Sequence, residues 1–335
     1  MGKAGAAGRS LLLIFAVASL AACGPAGEAR APSEAQVLPA SGPLRAATLD
    51  RLLLVDGARA GDRLVGVGDH GYIVLSDDGG ASWRRAKSPD APLLTAVTFV
   101  DATHGWAVGH DALILATTDG GETWATQFSA PSEQRPLLDV LFLDARRGIA
   151  VGAYGAYYET ADGGATWTAR KIIAGDRHLN AIVKLKDRLV IFGEAGTLLA
   201  SGDEGREWKP LDSPYKGSLF GGVVASDGAV VAFGLRGKIF RSADGGDHWD
   251  AVANDSTATL MGGARLSDGT LVLVGNAGTV LASHDGGRTF ALASSAESAR
   301  VFSAALAGPD GAALLLGDHG ARAMKLTAAR GGAAQ

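Results

Sequence analysis

One octet of residues returns along this chain with a fixed period, and that period decides the architecture. Ser76-Asp77-Asp78-Gly79-Gly80-Ala81-Ser82-Trp83 recurs at 117–124, 160–167, 201–208, 242–249 and 283–290. Every copy fits (Ser/Thr)-x-Asp-x-Gly-x-x-(Trp/Phe). The closing aromatics at 83, 124, 167, 208, 249 and 290 are spaced by 41, 43, 41, 41 and 41 residues. A period near 40, with short strand-like runs between turns, means stacked four-stranded units, the blades of a β-propeller. A glycine upstream of each copy counts the units: Gly68, Gly109, Gly152, Gly193, Gly234, Gly275 and Gly317. There are seven, one more than there are octets.

The octet explains its own residues. Asp78, Asp119, Asp162, Asp203, Asp244 and Asp285 stand where a carboxylate accepts from the next N–H groups of a tight turn. The glycines that follow allow positive φ. The aromatic opens the next strand and carries apolar area to bury between sheets. Each unit then reads as four strands, in the second unit 94–100, 105–109, 113–118 and, past the octet, 124–128. Continuous apolar runs such as Leu52-Leu53-Leu54-Val55 suit strands covered on both faces. The seventh unit supplies only three runs, 301–306, 312–317 and 321–326, which leaves a sheet edge open. Residues 36–48 are expected to add its missing outer strand. The expected fold is all-β: a seven-bladed propeller of four-stranded antiparallel blades over 36–328, its ring closed by an N-terminal strand.

The start of the chain reads as an address. Lys3 and Arg9 precede a largely apolar run, 11–20, too short to span a bilayer. It ends in Leu20-Ala21-Ala22-Cys23, which looks like a bacterial lipobox, and Cys23 is the chain's one cysteine, with no disulfide partner to find. Residues 1–22 are expected to be a lipoprotein signal peptide, 23–35 a flexible tether rich in Ala, Pro, Gly and Glu, and 329–335 a disordered tail. With Gly24 after the cysteine, the expected location is the cell envelope, anchored to the outer membrane and facing the periplasm. The net charge of −4 becomes −6 once Lys3 and Arg9 leave with the signal peptide. An acidic chain without a basic block excludes nucleic acid as a partner.

The octet resembles the Asp-box, or BNR repeat, of sialidases and other propellers, where it is a structural turn remote from any catalytic centre. A glycine-bearing strand is coupled to it in Gly105-Trp106-Ala107-Val108-Gly109 followed by 118–124, in Val65-Gly66-Val67-Gly68 with 76–83, and in 148–152 with 160–167. This pairing is similar to the photosystem II stability/assembly factor family, and the likeness covers nearly all of 50–328. It implies a non-catalytic assembly or interaction factor for a membrane protein complex, without a cofactor. Relatives in bacteria that lack photosynthesis are envelope proteins, some associated with RND-type exporters. A monomer held by its lipid is the expected state.

In a propeller the loops joining second to third strands share one face with those joining blade to blade. That face is expected to gather His70, His110, Tyr154, Arg236 and His319 from the turns, and Arg135, Arg177, His178 and Arg300 from the linkers. Loop residues on a rigid scaffold are where binding lives. The three turn histidines come without an HxH, HExxH or CxxC spacing, so no metal is expected. The alternative is a carbohydrate-active propeller, either a sialidase-like glycosidase or a lectin. A glycosidase needs two carboxyl groups about 5–10 Å apart, and the Arg-Ile-Pro motif usual in sialidases is absent.

Overall fold

The computed structural model describes residues 37–294 and 300–326. Cys23, the signal peptide, the tether and the C-terminal tail lie outside the described residues. Seven antiparallel sheets follow one another in the order of the chain, and each runs outward from an innermost strand. Blade two, for example, comprises Leu94–Phe99, Gly105–Gly109, Ile114–Thr117 and Ala125–Phe128. The second strands, such as Gly105–Gly109 and Leu189–Gly193, are buried throughout, as their continuous apolar runs require. Helix is confined among the described residues to Ala46–Leu49 and single 3-10 turns.

Each landmark glycine ends a second strand where the backbone of the innermost strand passes close. A Cβ at Gly68 would lie 1.9 Å from the Leu53 carbonyl oxygen, and one at Gly317 would lie 2.0 Å from that of Val301. No side chain fits there, which is why one glycine per blade recurs. Between blades the core is continuous. Trp106 of blade two stacks on Phe142 of blade three at 3.4 Å between ring centroids and 6° between planes. Trp124 and Phe99 of blade two, edge-on at 6.0 Å, pack with Val65, Val67 and Leu75 of blade one.

Small polar groups on the innermost strands link neighbouring blades. Thr95 Oγ1 donates to Leu137 O at 2.6 Å, and Asn180 Nδ2 to Leu219 O at 2.9 Å. The ring closes with the same device: Ser303 Oγ of blade seven donates to Leu54 O of blade one at 2.7 Å. The turns repeat the pattern on the loop face. Ala112 N donates to Arg135 O, Gly196 N to Gly217 O and Gly278 N to Arg300 O; at the closure Gly320 N donates to Leu52 O at 2.8 Å.

The expected closing strand is corrected by the structure. Blade seven has three strands among the described residues, Phe302–Ala307, Ala313–Gly317 and Gly320–Met324. The N-terminal segment crosses to the far side of blade one instead. Val37–Leu38 pairs with Ser88–Pro89, Pro43 bridges to Arg84, and Leu44 N donates to Trp83 O. Its apolar residues decide this. Leu44, Leu49 and Leu52 pack on Leu54, Trp83, Leu314 and Leu316, sealing the seam between blades one and seven by burial rather than by a strand ladder.

Candidate functional site

The six Asp-boxes are consumed by their own turns. In blade one Asp78 Oδ1 accepts from Ser76 Oγ at 2.8 Å and Ser82 N at 2.9 Å, while Oδ2 accepts from Ser82 Oγ at 2.6 Å. Ser76 Oγ in turn accepts from Gly80 N at 2.8 Å. Asp119, Asp162, Asp203, Asp244 and Asp285 repeat this bonding with their own Ser or Thr. Hydrogen bonds from Ser82 and Thr166 hold the carboxyls of Asp78 and Asp162 down at about 2, so each stays a charged acceptor.

The boxes also face the preceding blade. Arg63 of blade one donates to Gly120 O of blade two at 3.0 Å and pairs with Glu122 at 2.9 Å. Gln127 donates to Gly163 O at 3.0 Å, and Arg241 to Gly286 O at 2.9 Å. Arg147 pairs with Glu204, Arg188 with Asp247 at 2.7 Å, and Asp227 with Arg288 at 3.1 Å. The polar groups of this face are thus largely committed to holding blades together.

The opposite face is built differently. Its turns place a residue other than glycine in the left-handed region: His70 (φ 52°), Asp111 (60°), Tyr154 (56°), Ala195 (52°), Arg236 (58°) and Ala277 (56°). Each such residue costs about 1–2 kcal/mol, tolerated because the ladders on either side fix the turn. The tips project side chains at set angles around the mouth of the ring.

Three of the expected site residues, Arg135, Tyr154 and His178, come together at blades three and four. A cleft of about 630 Å³ is lined by Arg135, Tyr154, Tyr158, Arg170, Lys171 and Ile173, among others. Tyr154 is 46% exposed. Its ring meets His178 edge-on at 5.0 Å, and its N–H points to His178 Nδ1 at 3.4 Å. His178 lies in turn 3.4 Å from the Glu194 carboxylate. Arg135 stands 3.9 Å from Glu133, whose carboxylate accepts the Tyr158 hydroxyl at 2.7 Å. Burial and that contact push the Tyr158 phenol above its usual range, so it remains a neutral donor. Arg170 is held over the Tyr157 ring at 5.0 Å and donates to Gly205 O. Lys171 is exposed on the rim, and Arg177 is exposed just beyond.

The other expected residues are spread around the ring. Arg300 and His319 meet Asp50 at the seam of blades seven and one, at 4.0 and 3.5 Å. His70 pairs with its neighbour Asp69 at 2.9 Å, while His110 and Arg236 are exposed on separate blades. Among the described residues no three His, Cys, Asp or Glu side chains converge on a point. Sequence reasoning missed Arg170, Lys171 and Ile173, which follow a two-residue outer strand, Thr168–Ala169, shorter than the pattern implied.

It also missed two carboxyls on the innermost strands, Asp56 and Asp139. Burial pushes Asp56 up to about 6 and Asp139, which also lies in the field of Asp56, up to about 7. The signal was present: an acid interrupts each apolar run, Leu52-Leu53-Leu54-Val55-Asp56 and Leu137-Leu138-Asp139-Val140.

Fold and site together define an Asp-box propeller with one face committed to its seams and the other carrying an open cleft. The chain belongs to the family described as photosynthesis system II assembly factor YCF48, which matches residues 76–136 and 127–300. Over 47 residues it is 45% identical to the chloroplastic photosystem II stability/assembly factor HCF136 of Cyanidioschyzon merolae, covering 13% of this chain and 11% of that protein. Over 42 residues it is 38% identical to the photosystem II assembly protein Ycf48 of Thermosynechococcus vestitus, 12% of either chain. These alignments span about a tenth of the relatives' length. Among solved structures, YCF48 bound to D1 peptide superposes with a TM-score of 0.68 at 21% identity, covering 83% of this chain and 95% of that one. YCF48 from Cyanidioschyzon merolae gives 0.64 at 17%, covering 81% and 95%. A streptogramin B lyase gives 0.67 at 13%, covering 83% and 94%, which shows that the same fold also carries enzymes.

Proposed function

We propose that this protein is a non-catalytic interaction factor that holds an acidic segment of a membrane protein complex in the cleft of blade three. The observation that carries the reading is the cleft itself, with Arg135 and Lys171 on its rim and the exposed ring of Tyr154 at its lip. Guanidinium and ammonium groups recognise carboxylates, and an exposed aromatic on a rigid turn is a low-entropy anchor. Of the two acids that line this cleft, Glu133 and Asp176, the one beside Arg135, Glu133, is committed to Tyr158 and is a poor candidate for proton transfer. A solved family relative holds a peptide, of D1, which supports a peptide-like ligand here. The lipobox at 20–23 supports a thioether anchor on Cys23, so that the ring works as a monomer at the outer membrane, facing the periplasm. The complex served is then an envelope one, with an RND-type exporter as the leading candidate.

The test is a photo-reactive side chain placed at Tyr154 in the anchored protein, read by mass spectrometry. Leu292 on the outer strand of blade six, also 46% exposed, is the control position. The expected product is a cross-link from 154 to an acidic segment of one membrane protein, lost when Arg135 and Lys171 are both changed to Ala. Equal yields from 154 and 292 would sink the proposal.

A further inference from the structure

Six of the seven seams hold the aromatic that closes an Asp-box. Trp83, Trp124, Trp167, Trp208, Trp249 and Phe290 each pack against the blade that precedes their own. The seam between blades six and seven has no such residue among the described ones. Its core joins Val272, Val274 and Val280 of blade six to Phe302, Ala313 and Leu315 of blade seven. On the outermost strand of blade seven and just past it, Met324 and Leu326 lie against that core and are only partly buried.

The register of the strands shows what is missing. In the six boxed blades, the hydroxyl of the box stands opposite the residue four before the landmark glycine. Ser76 faces Leu64, Thr117 Gly105, Thr160 Gly148, Ser201 Leu189, Ser242 Val230 and Ser283 Leu271. All six hydroxyl residues are buried. In blade seven the same place, opposite Ala313, belongs to Met324. Counting on from it, Leu326 stands where the box has its Asp and Gly331 where it has its aromatic. The third strand, Gly320–Met324, is thus followed by no box, and among the described residues nothing pairs with its outer side. An unpaired edge of this kind is a template for another strand.

We propose that blade seven takes an extended segment of another protein as its fourth strand, with a Trp or Phe of that segment seated on Met324 and Leu326 at the seam with blade six. The other blades show the form of the occupant. In blade six Phe290 is followed by Ala291 opposite Ala282 and Leu292 opposite Leu281; the matching places in blade seven are Ala323 and Arg322. Main-chain hydrogen bonds along an added strand supply affinity, and a side-chain pocket supplies specificity. The chain's own flanks lack the chemistry, since neither 24–35 nor 327–335 contains an aromatic, Leu, Ile, Val or Met. Val37–Leu38 is engaged by Ser88–Pro89. A second copy pairing edge to edge would complete the ladder without supplying an aromatic. Residues 320–326 include Arg322 and Lys325 and no acid, so the segment that fits is neutral or acidic. The inference stands whether or not the loop face takes the partner proposed above.

The chain contains a stand-in donor: a synthetic peptide of residues 117–128, the acidic box and outer strand of blade two, which carries Trp124. Amide hydrogen exchange of the full chain reads the edge at Ala321, Arg322, Ala323 and Met324. With the peptide at about ten times its Kd, the outward amides among these should exchange about tenfold more slowly. Those of Asp250–Ala251, the outer strand of the complete blade five, should not change. The protection should persist when Arg135 and Lys171 are both changed to Ala, which separates this site from the cleft, and a Trp124→Ala peptide should bind far more weakly. No slowing at 321–324 with the peptide at about 1 mM overturns the proposal, as does equal potency of the two peptides or loss of the effect in the cleft variant. Protection that is present without peptide and vanishes on deleting 327–335, or that grows with protein concentration, also overturns it, because the occupant is then the chain's own tail or a second copy.

Discussion

Within a single Asp-box, the aromatic and the acid do unequal work. Trp124 is buried, donates from Nε1 to Gly121 O at 2.9 Å and meets Phe99 edge-on. Asp119 satisfies a turn that remains in reach of water. Trp124→Ala should cost about 3–5 kcal/mol through lost burial and the cavity left behind, and Asp119→Ala about 1–2 kcal/mol, since water replaces part of what is lost. Denaturant midpoints decide it, and a larger loss for Asp119→Ala would contradict the division of labour. Both roles were legible in the octet, because turn chemistry is local: hydroxyl, carboxylate, glycine and aromatic act within eight residues. The second task of the box was not legible. That Gly120 O accepts from Arg63 depends on how two blades face each other, which no spacing within one repeat records.

At the scale of strands, the count of blades was readable and the fate of the first strand was not. Periodicity counts repeats, but it does not say which free edge a terminal segment will choose. Burial of Leu44, Leu49 and Leu52 settled that choice here. Deleting 37–43 should therefore lower the melting temperature by only a few degrees, because it removes two ladder pairs, one bridge and the Ser41 hydrogen bonds to Arg85 from the outside of blade one. Extending the deletion through 52 should abolish cooperative unfolding by uncovering Leu54, Trp83 and Leu316. Calorimetry separates the cases; equal losses for both deletions would mean that the segment acts as a strand after all. The cleft was partly legible for the same kind of reason. Arg135, Tyr154, Arg177 and His178 could be assigned to one face from topology, whereas gathering three of them into one lip depended on contacts between blades three and four.

Across the whole ring, two sets of carboxyls pull stability in opposite directions with pH. The box acids Asp78, Asp162 and Asp285 sit at about 2, below their unfolded value. Their contribution is present above about pH 4 and is lost as the pH falls toward 2. Asp56 and Asp139, raised to about 6 and about 7, contribute fully below about pH 4 and lose that contribution as the pH climbs. The ring should be most stable at about pH 4 to 5, and melting temperatures across pH 3 to 9 will show it; a maximum at pH 8 would contradict the assignment. The belt of charges on the Asp-box face has a further consequence. At three seams a cation on the earlier blade meets an acid on the next: Arg63 with Glu122, Arg147 with Glu204 and Arg188 with Asp247. Between blades five and six the polarity of the pair is reversed: Asp227, held at 2.5 Å by Arg241 of its own blade, faces Arg288 of the next. Blades with nearly the same backbone are in danger of being mistaken for one another while the chain collapses. If blade six docked where blade five belongs, it would bring Arg288 against Arg188, and blade five following itself would set Asp227 against Asp247. The reversed pair thus marks neighbour identity, and the order of the ring is written in the sign of its charges as well as in the sequence of its chain.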